Sequence, residues 1–195
     1  MKRISIAVGL VVLLMPALAA AELDYNVVDV GFASKLSRDT AGIFTEFSLG
    51  ASKSISDHLY LGASYQTGIE RINSVIGNQR VHSTYLSAGF HTPFKQNNDI
   101  VVAGRLYKGT DGIAGSSASA NGSDIGVGVR AQFPHDLEGS VMGVYSRISN
   151  AAYSDKDTYV NVQFGFGFTA EIQLYGGIDL FRNDQTMNFG IRVFY

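Results

Sequence analysis

The feature that most restricts this chain is an alternation of apolar and polar residues with a period of two, repeated along its length. No segment after residue 22 holds a helical period over three turns. Ile43, Thr45, Phe47, Leu49 and Ala51 alternate with Glu46, Ser48, Gly50 and Ser52. Val160, Val162, Phe164, Phe166 and Phe168 alternate with Tyr159, Asn161, Gln163, Gly165 and Gly167. A strand of this kind has one greasy face and one face of glycine, serine and charge. Ten such stretches are legible, at about 23–32, 42–52, 58–68, 80–92, 99–108, 122–133, 137–147, 158–169, 171–181 and 186–195.

The connections between them alternate in length. "SISD", "PFKQNN", "PHD" and the bend near Ala170 are short, whereas "SKLSRDTAG", "IERINSVIGNQ", "GTDGIAGSSASAN" and "ISNAAYSDKD" are longer and polar; "RNDQ" is a brief last member of the long side. Short turns at one end and long loops at the other describe a transmembrane barrel of the bacterial outer membrane. A soluble β-sandwich would also alternate, but it leaves that rhythm and the glycine-rich polar faces without a cause. A tilted span needs about 9–11 residues, which most of the ten stretches supply. The expected fold is all-β, an antiparallel up-and-down barrel of ten strands, with eight as the alternative. An even number puts both termini at the short-turn, periplasmic end. Phe90, Phe133, Phe168 and Tyr195 then form an aromatic girdle there, and Phe32, Tyr65 and Tyr145 suit the outer one.

"MKRISIAVGLVVLLMPALAA" has Lys2 and Arg3, an apolar run from Ile4 to Leu14, and small residues at Ala17, Ala19 and Ala21. That is the anatomy of a secretory signal peptide. Residues 1–21 are assigned to it and residues 22–195 to the barrel. The chain has 15 basic and 17 acidic residues, and loss of Lys2 and Arg3 brings the balance to −4. No basic stripe is left to neutralise phosphates, so nucleic acid is not a partner. With no cysteine, disulfides and thiolate metal sites are ruled out.

The chain ends on "MNFGIRVFY". In lipid every backbone polar group must be paired, so the last strand has to close on the first and needs a lipid-facing stripe to its end. Met187, Phe189, Ile191, Val193 and Tyr195 supply it. The pattern resembles the C-terminal assembly signal of bacterial outer-membrane proteins, with tyrosine in place of the commoner phenylalanine, and implies recognition by the barrel-assembly machinery. The whole of residues 22–195 is similar to small outer-membrane barrels of the OmpX/opacity type, whose best-known members have eight strands. "LDYNVVDVGF" also resembles the start of a group of small barrel proteins of plant-associated bacteria, once regarded as immunity activators. These resemblances imply outer-membrane lipid and lipopolysaccharide as surroundings, and an extracellular ligand or host surface as partner of the loops.

Catalytic signals are weak. Three of the four histidines (His58, His82, His91, His135) lie at or beside short turns, without the i, i+2 partner that a ligand pair on a strand needs. Lipid-A deacylases of this architecture carry His and Ser two residues apart on one face; here Thr84 follows His82. The "SDH" at 56–58 resembles the Asp–His pair of outer-membrane proteases only superficially, and lies at the wrong end. No nucleophile, base and orienter come together, so neither an enzyme nor a cofactor is expected. The polar face does carry charges. Asp29 and Glu46 are expected to face each other across the first hairpin, with Arg192 pointing inward beside them. Arg105 with Asp124 and Arg130 with Glu138 are expected as further inward pairs. Such a network either fills a narrow lumen as paired charges or serves acid–base chemistry or a selectivity constriction. The expected role is a non-enzymatic envelope or surface function with a largely plugged lumen, the alternatives being a narrow solute channel and, third, a lipid-acting enzyme.

Overall fold

The structure, a computed structural model, describes residues 24–195 except 38–42, 74–76, 96, 114–115, 151–153 and 183. The proposed signal peptide lies outside the described residues. Ten strands follow one another: β1 (Val27–Ser37), β2 (Ile43–Ser54), β3 (Leu59–Asn73), β4 (Gly77–Lys95), β5 (Asn98–Ile113), β6 (Ser116–Phe133), β7 (Leu137–Asn150), β8 (Ser154–Gly167), β9 (Ile172–Leu180) and β10 (Asp184–Phe194). Each pairs antiparallel with its neighbours in sequence, and β1 pairs β10 from Val27↔Phe194 to Ser37↔Asp184, closing the barrel. Closure removes the sheet edges, which a bilayer could not satisfy.

Alternation decides which way each side chain points. Val28, Phe47, Leu61, Leu86, Val127, Phe164, Leu174 and Ile191, the positions that alternation assigns to lipid, are all exposed on the outside. Leu86 is 62% and Leu106 65% exposed, and among the described residues no large side chain is fully buried. A water-soluble protein with this much exposed apolar surface would associate. In lipid the same surface is the solvated one, and the protein is a transmembrane barrel. Phe32 packs between Phe47 and Phe189, with ring centroids 5.4 and 5.7 Å away, in the outer half of the band. At the other end Phe168 and Tyr195 are exposed and Phe133 is half-buried. β4 runs on to Lys95, so Phe90 stands inside the band and the exposed Phe94 occupies the strand's end.

Two expectations about element limits change. β1 begins at Val27, leaving Asp24–Asn26 outside the strand, and continues to Ser37. The long polar connections are largely strand: β3 reaches Asn73 and β4 starts at Gly77, while β5 reaches Ile113 and β6 starts at Ser116. Apolar alternation marks only the part of a strand that touches lipid. Beyond the bilayer the ladder continues on backbone hydrogen bonds alone, which glycine, serine and threonine permit. The short turns are where the sequence puts them. "PHD" closes β6 to β7 as a three-residue connection between the paired Phe133 and Leu137, with His135 and Asp136 in the left-handed region at φ 63° and 57°.

Candidate functional site

The inward face of each strand mixes large residues with glycines, and the two kinds interlock between strands. Tyr60 on β3 lies across Gly89 on β4, and Tyr107 on β5 across Gly122 on β6; a Cβ at either glycine would fall on the tyrosine ring. Tyr85, Tyr159 and Tyr175 also point inward and help to line the lumen. Glycine on the polar face therefore makes room for bulk from the neighbouring strand.

A packed layer closes the short-turn mouth. Tyr25, only 7% exposed, turns into the lumen just ahead of β1. Its ring stacks on His91 at 4.0 Å and Tyr60 at 4.7 Å, and the Arg130 guanidinium covers it at 4.6 Å. The Tyr25 hydroxyl donates to Asp99 Oδ2 at 3.1 Å, and His91 Nδ1 lies 3.0 Å from the same oxygen. Arg130 donates to both oxygens of Glu138 at 2.8 Å, and through Nη1 to the Asp24 carbonyl at 2.9 Å. Gln173 donates to Glu138 Oε2 at 3.3 Å, and Arg192 reaches Glu138 Oε1 at 3.5 Å. Each carboxylate in this layer thus has partners, the condition under which a buried charge is tolerated.

Higher in the lumen Arg105 donates to Asp124 Oδ2 through Nε at 3.0 Å and Nη2 at 2.6 Å, and to the Tyr159 hydroxyl at 3.0 Å. Asp179 accepts from Asn161 Nδ2 at 2.6 Å. The structure therefore joins Arg105 with Asp124 and Arg130 with Glu138. It does not join Asp29 with Glu46, because β1 and β2 pair Asp29 with Gly50 and Ala33 with Glu46. The hairpin turns later than expected, which leaves both carboxylates inward but on different rows. Arg192 stands opposite Asp29 in the β1–β10 register. Its guanidinium instead donates to the amide oxygens of Gln173 and Gln163, each at 3.1 Å. Asp24, Asp99 and Gln173 escaped the reading of the sequence, as did the contacts that bring Tyr25, His91 and Gln163 into this layer. The parity that points Arg105 inward also points Asp99 inward, so part of this layer could have been found.

Above the mouth the lumen is a vestibule of about 580 Å³, whose lining includes Glu46, Arg105, Asp124 and Asp179; a smaller cavity of about 160 Å³ lies against Tyr25 and Arg130. Tyr60, Met142 and Arg192 border both. Among the described residues no group of His, Cys, Asp or Glu is arranged to hold a metal ion.

No protein-family model and no curated protein matches the chain. Among solved structures it is similar to the KdgM porin in complex with disordered oligogalacturonate, at 10% identity and a TM-score of 0.43, covering 87% of this chain and 99% of that one. It is also similar to the β domain of the Bordetella autotransporter BrkA, at 12% identity and a TM-score of 0.49, covering 88% and 100%. Neisserial surface protein A is a third, at 15% identity and a TM-score of 0.39, covering 87% and 95%. Barrels of one architecture serve unrelated functions, so function has to be read from the lumen itself.

Proposed function

We propose that this is an integral outer-membrane barrel of a Gram-negative bacterium with a non-enzymatic envelope role, closed at the periplasmic mouth and open outward. A closed barrel with an apolar outside and a polar inside belongs in that membrane. The observation that carries the closed lumen is the seating of Tyr25 between His91, Tyr60 and Arg130. A ten-stranded barrel is only a little wider than the eight-stranded size that side chains fill, so one tyrosine and a paired arginine are enough to close it. The vestibule and the strand extensions beyond the bilayer are the surfaces left to meet an extracellular ligand or a host surface. The C-terminal stripe from Met187 to Tyr195 is the part offered to the assembly machinery.

Single-channel recording in planar bilayers tests this. The wild type should give no steady openings, and Tyr25→Ala should give small ones by uncovering the mouth. Steady wild-type openings would replace the reading with that of a narrow solute channel.

A further inference from the structure

The outward face of β4 to β8 changes character towards its outer end. On β5 Lys108 lies two residues beyond Leu106; on β4 His82 and Arg80 lie beyond Leu86. On β7 and β8 Arg147 is the direct cross-strand partner of Lys156, one outward step beyond the pair Tyr145 and Thr158. All five basic side chains are exposed. Tyr65 and Thr67 on β3 hold His82 Nδ1 from the side, at 3.0 and 2.9 Å.

Register brings these positions to one height. Pairings followed from β1 through β2 to β10 and back return further along β1 than they began. Each row therefore climbs outward, by about 3 Å per strand at the usual barrel tilt and strand spacing. That climb compensates for the different positions along the strands. The five side chains fall in a belt about 7 Å deep, just beyond Tyr65 and Tyr145.

Carboxylates are on the other face. Asp29, Glu46, Asp124 and Asp179 line the vestibule, and Asp99 and Glu138 the mouth. Asp155 and Asp157 pair in register with Ile148 and the buried Ser146, away from the face of Arg147 and Lys156. Among the described residues none of the five makes an ion pair. Like charges directly opposite in a sheet repel, and Arg147 faces Lys156 with no counter-charge among the described residues on that face.

We propose that this belt, with Arg147 and Lys156 at its centre, binds the phosphates of a bis-phosphorylated glycolipid of the outer leaflet. The acyl chains of that lipid lie along Leu86, Leu106, Ile125 and Val127. A phosphate between Arg147 and Lys156 turns their repulsion into charge-assisted hydrogen bonding. Arg80, Lys108, Arg147 and Lys156 lie on four strands, β4, β5, β7 and β8, across about 20 Å of sheet, which a headgroup with two phosphates spans better than one with a single phosphate. This inference rests on the outer-membrane reading above.

The test titrates the folded protein in neutral detergent with bis-phosphoryl lipid A, with the same lipid dephosphorylated, and with phosphatidylglycerol. The bis-phosphoryl lipid should bind at least tenfold tighter than either of the others. Arg147→Gln/Lys156→Gln should weaken it by about fivefold per cation, Lys108→Gln by one such step, and Lys53→Gln, at the opposite rim, should change nothing. Lys108→Gln decides the matter if the double variant does not fold. Equal binding of the three lipids, or unchanged binding in the belt variants, would overturn the proposal. Fractionation of cells separates the two levels: wild-type protein outside the outer membrane fails the underlying reading. Protein in that membrane without lipid discrimination fails only the glycolipid site.

Discussion

Arg130 ties three parts of the closing layer together. It holds both oxygens of Glu138, the carbonyl of Asp24 and the ring of Tyr25. Arg130→Ala leaves Glu138 with the longer contacts to Arg192 and Gln173. Breaking one partner from a buried pair costs about 3–5 kcal/mol, and water entering the lumen lowers that figure. Arg192→Ala should cost clearly less, since Glu138 keeps its bidentate partner. Urea unfolding of both variants in detergent checks the order, and equal midpoints would contradict it. The inward direction of these charges was legible because period two fixes the face. Partners were legible where the register was placed correctly, Arg130 with Glu138 across "PHD" and Arg105 with Asp124 across a long connection. Across a longer connection a slip by an even number of residues keeps the face and changes the partner, which is how Asp29 came to stand beside Gly50 and not Glu46. The seating of Tyr25 against His91, Tyr60 and Arg130 could not be read from the sequence, because it depends on three strands that meet it only in the closed barrel.

At the scale of the element, β10 shows why its sequence runs apolar to the last residue. Phe194 pairs with Val27 and its N–H donates to the Glu171 carbonyl at 2.8 Å. Tyr195 donates its N–H to the Asn26 carbonyl at 3.1 Å and its hydroxyl to the Ser52 carbonyl at 3.2 Å. Deleting both residues should reduce insertion in cells far more than refolding into detergent, as the stripe serves recognition besides sealing the seam. Comparable losses in the two assays would leave these residues a packing role only. Tyr195→Phe should assemble normally and lose about 1 kcal/mol for one hydrogen bond. The strands that the sequence underestimated, β3 to β6, run on through ends without sustained apolar alternation, such as residues 108–113 of β5 and 116–121 of β6. Their pairing beyond the bilayer owes nothing to apolar alternation, so a reading built on alternation stops at the lipid boundary.

For the whole molecule, the outside is solvated by lipid and the inside by its own side chains. Val127→Arg places a charge on the lipid face, a change worth about 2–4 kcal/mol at the midplane of a barrel. Ser64→Arg, into the vestibule, should be tolerated; equal penalties on folding into vesicles would undo the assignment of faces. The central claim is that the lumen is open outward and shut at the periplasmic mouth. β5 offers adjacent inward positions on the two sides of the division: Ala103 lines the vestibule, while Val101, 5% exposed, packs against Tyr25. The chain has no cysteine of its own, so Ala103→Cys and Val101→Cys report without background. The most direct measurement is the rate at which a charged thiol reagent modifies each in the folded protein. Ala103→Cys should react fast and Val101→Cys slowly, and adding Tyr25→Ala should bring the second rate up to the first. Fast reaction at Val101→Cys with Tyr25 in place would contradict the closed mouth.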